Sequence, residues 1–171
     1  NSFGPPGLET EPRLMLQSEL EDFAEEVRVD KLGNIIFTHK GEPGAPKIML
    51  AAHMDEVAFL ITHIDDKGFL RFHTWGIVDN VLPGQRIKLN GKMGAMYGIL
   101  GTKPPHVLSD EEKKKAIPVD ELFIDIGAGS REEAEEKGVF IGMNGVLMLI
   151  LKILVTGIFG VRLLTTGLAA I

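Results

Sequence analysis

The sequence KIMLAAHMDE, residues 47–56, begins as an apolar run and ends in polar residues. The apolar part predicts a buried strand over residues 47–52, and His53 stands where that strand ends. Side chains two positions apart on a strand lie on the same side of the sheet, so His53 and Asp55 are expected to lie together. An imidazole beside a carboxylate is typical of a metal site. The spacing alone favours an ordinary solvated strand end, because a two-residue match is short.

Length, charge and composition limit the classes of protein to which this chain can belong. A length of 171 residues predicts one domain or two small ones, and a net charge of −6 argues against a nucleic-acid partner. The chain has no cysteine, which excludes disulfides and thiolate metal ligands and agrees with a cytoplasmic location. Residues 1–30 lack the basic and apolar segments of a signal peptide. These features predict a soluble cytoplasmic protein.

The first 57 residues read as one unit with a βαβ-like pattern. Residues 10–26 carry apolar side chains at helical spacing, with Pro12 in the first turn, where proline is tolerated. Residues 27–30 and 34–38 predict two strands joined by a tight turn at residues 31–33. With the strand expected at residues 47–52, this unit resembles part of an α/β domain.

Residues 58–142 read as a second, β-rich unit. Short candidate strands alternate with turn sequences and predict a small β-barrel or β-sandwich; they cover residues 58–62, 69–72, 86–89, 97–100 and 122–126. Ser130 and Glu133 predict a capping box at the start of a short helix, and Gly138 suits its end. Residues 139–141 are then expected to form the last strand.

The remaining histidines offer weaker sites than His53. His63 and His73 read as half-exposed strand positions, His39 ends a strand beside a lysine, and His106 follows two prolines in a loop. Residues 127–130 could cradle an anion before a helix, although a capped turn explains them equally well. No nucleophile elbow with a Ser-His-Asp order is present in the sequence.

Several ordered motifs carry a family resemblance. Residues 51–56, 61–65 and 68–72 closely resemble the M42 family of metallo-aminopeptidases, which are TET-type and glutamyl aminopeptidase-like enzymes. Further matches follow in the same order, at residues 1–7, 82–86, 104–106, 122–128 and 132–134. The resemblance covers about residues 1–142, and the number of ordered motifs makes it specific.

The resemblance implies an α/β peptidase domain interrupted by a β-rich, barrel-like dimerisation domain. It implies two divalent metal ions, zinc or cobalt, that activate a water to attack the N-terminal peptide bond of short peptides. It assigns His53 as the first metal ligand and gives Asp55 the catalytic role of the carboxylate that orients it. It also implies a homo-oligomer, a dimer or a dodecamer. The family's later Gly-Lys-Ala-x-Asp-Asp-Arg run, Glu-Glu pair, further Asp and final His are absent from the sequence as written.

Residues 143–171 have a different composition from the rest of the chain. They contain no acid and no proline, and Lys152 and Arg162 are their only charges. Residues 145–161 are apolar enough to suggest a membrane anchor, although this is short of the roughly 20 residues that a spanning helix needs. Alternatively the segment is translated out of frame, since codons for residues 160–170 can be chosen that encode the missing Gly-Lys-Ala-x-Asp-Asp-Arg run in a shifted frame.

We favour the out-of-frame interpretation, because it explains why all 24 acids precede residue 143. This chain would then be an inactive or truncated form, since a single imidazole cannot hold a hydrolytic metal tightly. The competing hypothesis is a non-enzymatic oligomerisation or binding module, with a C-terminal segment that anchors it in a membrane or packs as a helix.

Overall fold

The computed structural model describes residues 2–77, 81–104, 117–148, 152–155 and 158–160. The chain forms two compact units, residues 2–56 and the residues from Val57 onward. From the sequence we expect a peptidase part over residues 1–57, a β-rich domain over residues 58–142 and a tail over residues 143–171. The surface loop expected at residues 104–115, with His106, lies almost entirely outside the described residues, as do residues 161–171.

The first unit consists of one helix and one hairpin. Helix α1 spans Thr10–Leu20 and continues as a 3₁₀ turn, Glu21–Phe23. Strands β1, Glu26–Val29, and β2, Ile35–Thr38, pair antiparallel, as the sequence predicted. The helix is shorter than the predicted range of residues 10–26, because Ala24 is already extended and leads into β1.

The turn between β1 and β2 is organised by Asp30. Its Oδ1 accepts hydrogen bonds from the backbone N–H groups of Leu32 and Asn34, at 2.9 and 3.0 Å. Its Oδ2 accepts from Asn34 Nδ2 at 2.8 Å. Gly33 has a φ of 91°, a conformation that favours glycine. The hydrogen bonds that form this turn are local, which explains why the hairpin could be predicted from the sequence.

The strand predicted at residues 47–52 is not formed. These residues have no regular secondary structure, and the side chains of Ile48, Met49 and Leu50 are 83%, 87% and 93% exposed. A strand requires a neighbour whose backbone groups complete its hydrogen bonds. None of the strands in the described part of the chain pairs with this segment. The prediction was wrong for this chain because apolar composition without a partner strand does not make a sheet.

The second unit is a closed six-stranded antiparallel barrel, in the order β3-β4-β7-β6-β5-β8. This confirms the barrel-like, β-rich module expected from the sequence. Strand β8 closes the barrel by pairing with both β3 and β5. The strands span Ala58–Ile64 (β3), Leu70–Trp75 (β4), Arg86–Gly91 (β5), Gly94–Gly101 (β6), Phe123–Asp125 (β7) and Asn144–Leu147 (β8).

The barrel interior is an apolar core built from alternate strand positions. Ile87 and Leu89 of β5 are fully buried, whereas their neighbours Arg86 and Asn90 are exposed. Among the described residues no polar or charged residue is buried, so the burial of apolar side chains stabilises the core. Its largest fully buried side chains include Phe59, Ile61, Ile64, Leu70, Leu82, Leu100, Leu122, Ile124, Met143 and Val139.

A short helix, α2, spans Arg131–Glu136 between β7 and β8. Ser130 Oγ accepts from the backbone N–H of Glu133 at 3.2 Å, which is the first half of the predicted capping box. The Glu133 carboxylate reaches Gly129 N–H at 2.8 Å instead of Ser130 N–H, so the box is displaced by one residue. Gly138 has a φ of 95°, as expected for a residue that follows a helix.

The last barrel strand lies further along the chain than predicted. Residues 139–141 are not a strand, because Met143 N–H donates to Phe140 O and closes a turn there. Gly142 lies in the turn with a φ of 92°, and its N–H donates to Ile61 O at 2.8 Å. Strand β8 follows, so the barrel extends to Leu147, past the predicted end of the β-rich unit at residue 142.

The described parts of the apolar tail are β-strands. Strands β9, Lys152–Val155, and β10, Ile158–Gly160, pair antiparallel. Within the described residues, no helix has the length and apolar character that crossing a bilayer requires.

Candidate metal centre

The candidate site lies in the segment without regular secondary structure that follows the apolar run and precedes β3. His53, Asp55 and Glu56 are in irregular backbone, not at the end of a paired strand. The segment is held at Glu56, whose backbone N–H donates to Gly4 O at 2.8 Å. The Glu56 side chain also accepts from Gly4 N–H, at 3.1 Å between N and Oε1. An N-terminal contact, not a sheet, therefore organises the site.

His53 and Asp55 are in contact, as their spacing predicted. His53 Nδ1 lies 3.0 Å from Asp55 Oδ1 and 3.0 Å from the Asp55 backbone oxygen. A carboxylate and a carbonyl can only accept hydrogen bonds, so Nδ1 carries the proton. In the neutral form of the ring this arrangement leaves Nε2 without a proton, and a neutral imidazole with a free nitrogen is the form that binds a metal. The pair consequently has the chemistry of a metal ligand oriented by a carboxylate.

The site is open to solvent. The His53 side chain is 66% exposed and the Asp55 side chain 39% exposed. No group of three or more His, Asp or Glu side chains suited to a metal ion occurs within the described residues. A catalytic zinc typically has three protein ligands. The residues present thus fit one ligand and its orienting carboxylate, and they fall short of a whole metal centre.

The other described histidines have contacts of their own. His39 Nδ1 lies 3.4 Å from the Glu25 carboxylate, and the pKa of Glu25 is lowered chiefly by a hydrogen bond from the Lys40 backbone N–H. His63 Nε2 lies 3.4 Å from Arg131 Nη2, and His73 packs edge-on against Trp75. His63 and His73 are exposed residues of β3 and β4, where the sequence predicted half-exposed strand positions.

The contact between Glu56 and Gly4 was not predicted from the sequence. Glu56 is adjacent to the motif, and Gly4 lies 52 positions away, so their spacing in the sequence offered no signal that they meet. The start of the chain, residues 1–7, contributes to the sequence predictions only through its family resemblance. Its burial at Phe3, Gly4 and Pro5 is a tertiary feature.

Comparison with known proteins supports the same family. The family model for M42 glutamyl aminopeptidase matches residues 33–160. Lysyl aminopeptidase from Pyrococcus furiosus is 43% identical over 128 residues, which cover 74% of this chain and 36% of that protein. The TET aminopeptidase from the marine sediment archaeon Thaumarchaeota archaeon SCGC AB-539-E09 has a similar structure, with a TM-score of 0.80 and 41% identity, covering 91% of this chain and 44% of that one.

A third relative is described by its assembly. The Pyrococcus horikoshii TET1 peptidase, which can assemble into a tetrahedron or a large octahedral shell, matches with a TM-score of 0.71 and 39% identity. The match covers 88% of this chain and 44% of that one. The chain belongs to the M42 glutamyl aminopeptidase family, as its motifs indicated. It spans less than half the length of these relatives.

Proposed function

We propose that this chain carries the first part of the catalytic site of a metal-dependent aminopeptidase, which removes N-terminal residues from short peptides. The observation that carries the proposal is the hydrogen bond from His53 Nδ1 to Asp55. It leaves Nε2 as a ligand atom within a family of aminopeptidases. Divalent ions, zinc or cobalt and two in number, would supply the activation of the attacking water in the intact enzyme.

The roles of the two residues in this proposal differ. His53 would hold the metal through Nε2. Asp55 would keep the ring in one tautomer and one orientation. The peptidase domain that these residues belong to would be interrupted by the barrel of residues 58–147, which fits the position of the motif immediately before β3.

Metal binding at His53 is tested by titrating Zn²⁺ into the chain while the ¹⁵N signals of the histidine rings are followed by NMR. The expected result is a weak response centred on His53 Nε2, which the substitution His53→Ala abolishes. His39→Ala is the matched control, because His39 is also exposed and also faces a carboxylate. An unchanged zinc response in His53→Ala would refute the proposed ligand.

We further propose that this chain by itself is an inactive form of the enzyme. One imidazole does not retain a hydrolytic metal, and the described residues contain no group of three or more His, Asp or Glu side chains suited to a metal ion. Cobalt-stimulated release of p-nitroaniline from aminoacyl substrates is the direct assay. We expect no release above the His53→Ala background, and robust turnover would contradict this part of the proposal.

The out-of-frame interpretation of residues 143–171 belongs to the same proposal. Strand β8 occupies a barrel position and the family match continues to residue 160, so these two observations favour a frame change later than residue 143. Sequencing the DNA from codon 142 onward tests it, since an intact frame would exclude it. If the shifted frame encodes the missing motif, the frame-corrected protein is expected to release p-nitroaniline.

A second candidate function is a homo-oligomerisation module. The barrel has a complete core of its own, and the Pyrococcus horikoshii relative assembles into large shells. We propose a homo-oligomer, a dimer or a dodecamer, formed through the barrel. Light scattering of the purified chain measures its mass, and a monomer at every concentration tested would contradict this assignment.

A further inference from the structure

We propose that Glu56 is a positioning residue for His53, and that the N-terminal segment, residues 3–5, acts on the metal ligand through it. The inference rests on the proposed function, because it concerns how the His53 ring is held for a metal. Its basis is a pair of reciprocal hydrogen bonds. Glu56 donates its backbone N–H to Gly4 O and accepts from Gly4 N–H with Oε1, between residues 52 positions apart.

The peptide unit between Asp55 and Glu56 connects the two ends of this arrangement. Its carbonyl oxygen, that of Asp55, lies 3.0 Å from His53 Nδ1. Its N–H, that of Glu56, donates to Gly4 O at 2.8 Å. A trans peptide is planar, and its C=O and N–H point in opposite directions. Because Gly4 holds the N–H on one side, the C=O faces the imidazole on the other.

The N-terminal segment is itself confined by packing. Phe3, Gly4 and Pro5 are buried, and Pro12 is the buried residue of helix α1. A Cβ at position 4 would stand 2.6 Å from Pro12 Cγ and 3.5 Å from the Met54 backbone oxygen. Glycine at position 4 therefore allows the segment to fit between the helix and the motif. The position of the Asp55–Glu56 peptide is thereby tied to α1.

Two consequences follow for the His53 ring. Rotation of the Asp55–Glu56 peptide would break the hydrogen bond to Gly4 and the contact to His53 Nδ1 together. Loss of the backbone acceptor would leave only the flexible Asp55 carboxylate to select the ring tautomer. Residues 3–5 and Glu56 would thus hold the His53 ring in one orientation, with Nδ1 facing the Asp55 carbonyl, without touching a metal or a substrate.

The experiment compares the full chain with Glu56→Ala, which removes the side-chain acceptor, and with Gly4→Ala, which displaces the segment. Glu56→Gln is the matched control, because its amide oxygen can still accept from Gly4 N–H. The first measurement is hydrogen exchange at the Gly4 and Glu56 amides, which we expect to accelerate at least about tenfold in both alanine variants. Amides of the β1–β2 hairpin report whether the unit stays folded.

The second measurement is the ¹⁵N spectrum of His53, which distinguishes its tautomers, with and without Zn²⁺ as the probe. In the alanine variants we expect the tautomer protonated at Nε2 to gain population. We expect the apparent zinc affinity at His53 to fall by about 10-fold, the lower end of the range for residues that orient a ligand. Glu56→Gln should restore both readouts.

The outcomes separate this inference from the function on which it rests. If zinc does not perturb His53 in the unchanged chain, the proposed metal role fails, while the tautomer measurement still tests the positioning. If zinc binds at His53 but Glu56→Ala alters neither tautomer nor affinity with the hairpin intact, the positioning role is wrong. Unfolding of the hairpin in both alanine variants would make Glu56 a stability residue and would also overturn the inference.

Discussion

Gly98 of β6 packs directly against Ile124 of β7 inside the barrel. A Cβ at position 98 would stand 2.5 Å from Ile124 Cγ2 and 3.0 Å from the Asp125 backbone oxygen. Gly145 of β8 is similarly close to Leu89, at 2.6 Å from its Cδ2. Because glycine has no side chain, large aliphatic side chains from neighbouring strands can fill the small interior at these positions. The packing of the barrel therefore requires glycine at positions 98 and 145.

The first prediction concerns this close packing. Gly98→Ala is expected to lower the free energy of unfolding of the barrel by about 1–3 kcal/mol, because neither Ile124 nor the backbone can move freely. Urea denaturation followed by the fluorescence of Trp75, the single tryptophan of the chain and a residue of β4, measures it. Gly41→Ala is the control, since a Cβ there meets nothing within 4 Å. Equal stability of the two variants would contradict the packing argument.

A second prediction concerns the exposed apolar segment at residues 47–52. Leu50→Ala is expected to change the free energy of unfolding by less than about 0.5 kcal/mol, because the side chain contributes little burial. Leu89→Ala, the same substitution at a fully buried position, is expected to cost about 2–5 kcal/mol. Denaturation followed by circular dichroism compares them. A large loss in Leu50→Ala would mean that this segment is a packed strand after all.

The third prediction is the helix cap at Ser130. Ser130→Ala should destabilise the barrel unit by about 1 kcal/mol, because the Glu133 N–H loses its side-chain acceptor. Ser130→Asp keeps an oxygen at the same place and is expected to retain most of the stability. Trp75 fluorescence in urea again reports the transition. A loss in Ser130→Asp as large as in Ser130→Ala would show that the cap is not the cause.

The fourth prediction concerns acid sensitivity at the β1–β2 turn. The hydrogen bond from the Asn34 side chain, with further ones from backbone N–H groups, lowers the pKa of Asp30 below its ordinary value. A carboxyl whose pKa is lower in the folded state stabilises the fold at pH values above its unfolded pKa of about 3.9. That contribution disappears as the pH falls through the lower, folded value.

Asn34→Ala should therefore raise the Asp30 pKa toward its ordinary value and weaken the acid dependence of the hairpin. The carboxyl ¹³C shift of Asp30, followed against pH by NMR, measures it. Leu32→Ala is the matched control, because Leu32 contributes only its backbone N–H to Asp30 and its side chain is exposed. An Asp30 pKa that is the same in Asn34→Ala and in the unchanged chain would refute the assignment.

Features encoded by neighbouring residues were predictable. The turn at residues 31–33, the Ser130 cap and Gly138 after α2 depend on contacts within a few positions. Strands β3 to β7 were predictable because their apolar residues and the turn sequences between them are local features, although some of their pairing partners are distant. The contact between His53 and Asp55 also followed from its short spacing, although an extended loop and not a paired strand produces it.

Features that depend on distant partners were not predictable. Residues 47–52 have a strand composition, yet they are exposed because no strand in the described part of the chain accepts their hydrogen bonds. The last barrel strand was expected at residues 139–141, but pairing with β3 and β5 selects Asn144–Leu147. The sequence pattern alone does not indicate which of two neighbouring apolar segments occupies the position between β3 and β5.

The KIMLAAHMDE sequence therefore determined that His53 and Asp55 meet, since this contact depends on residue identity and short spacing, and together with the other ordered motifs it indicated the family. The tertiary structure decided that the apolar half of that sequence remains unpaired and that its polar half is held by Gly4. The physical reason is that the backbone hydrogen bonds of an extended segment are completed by residues far away in the chain. A local sequence pattern does not identify those residues.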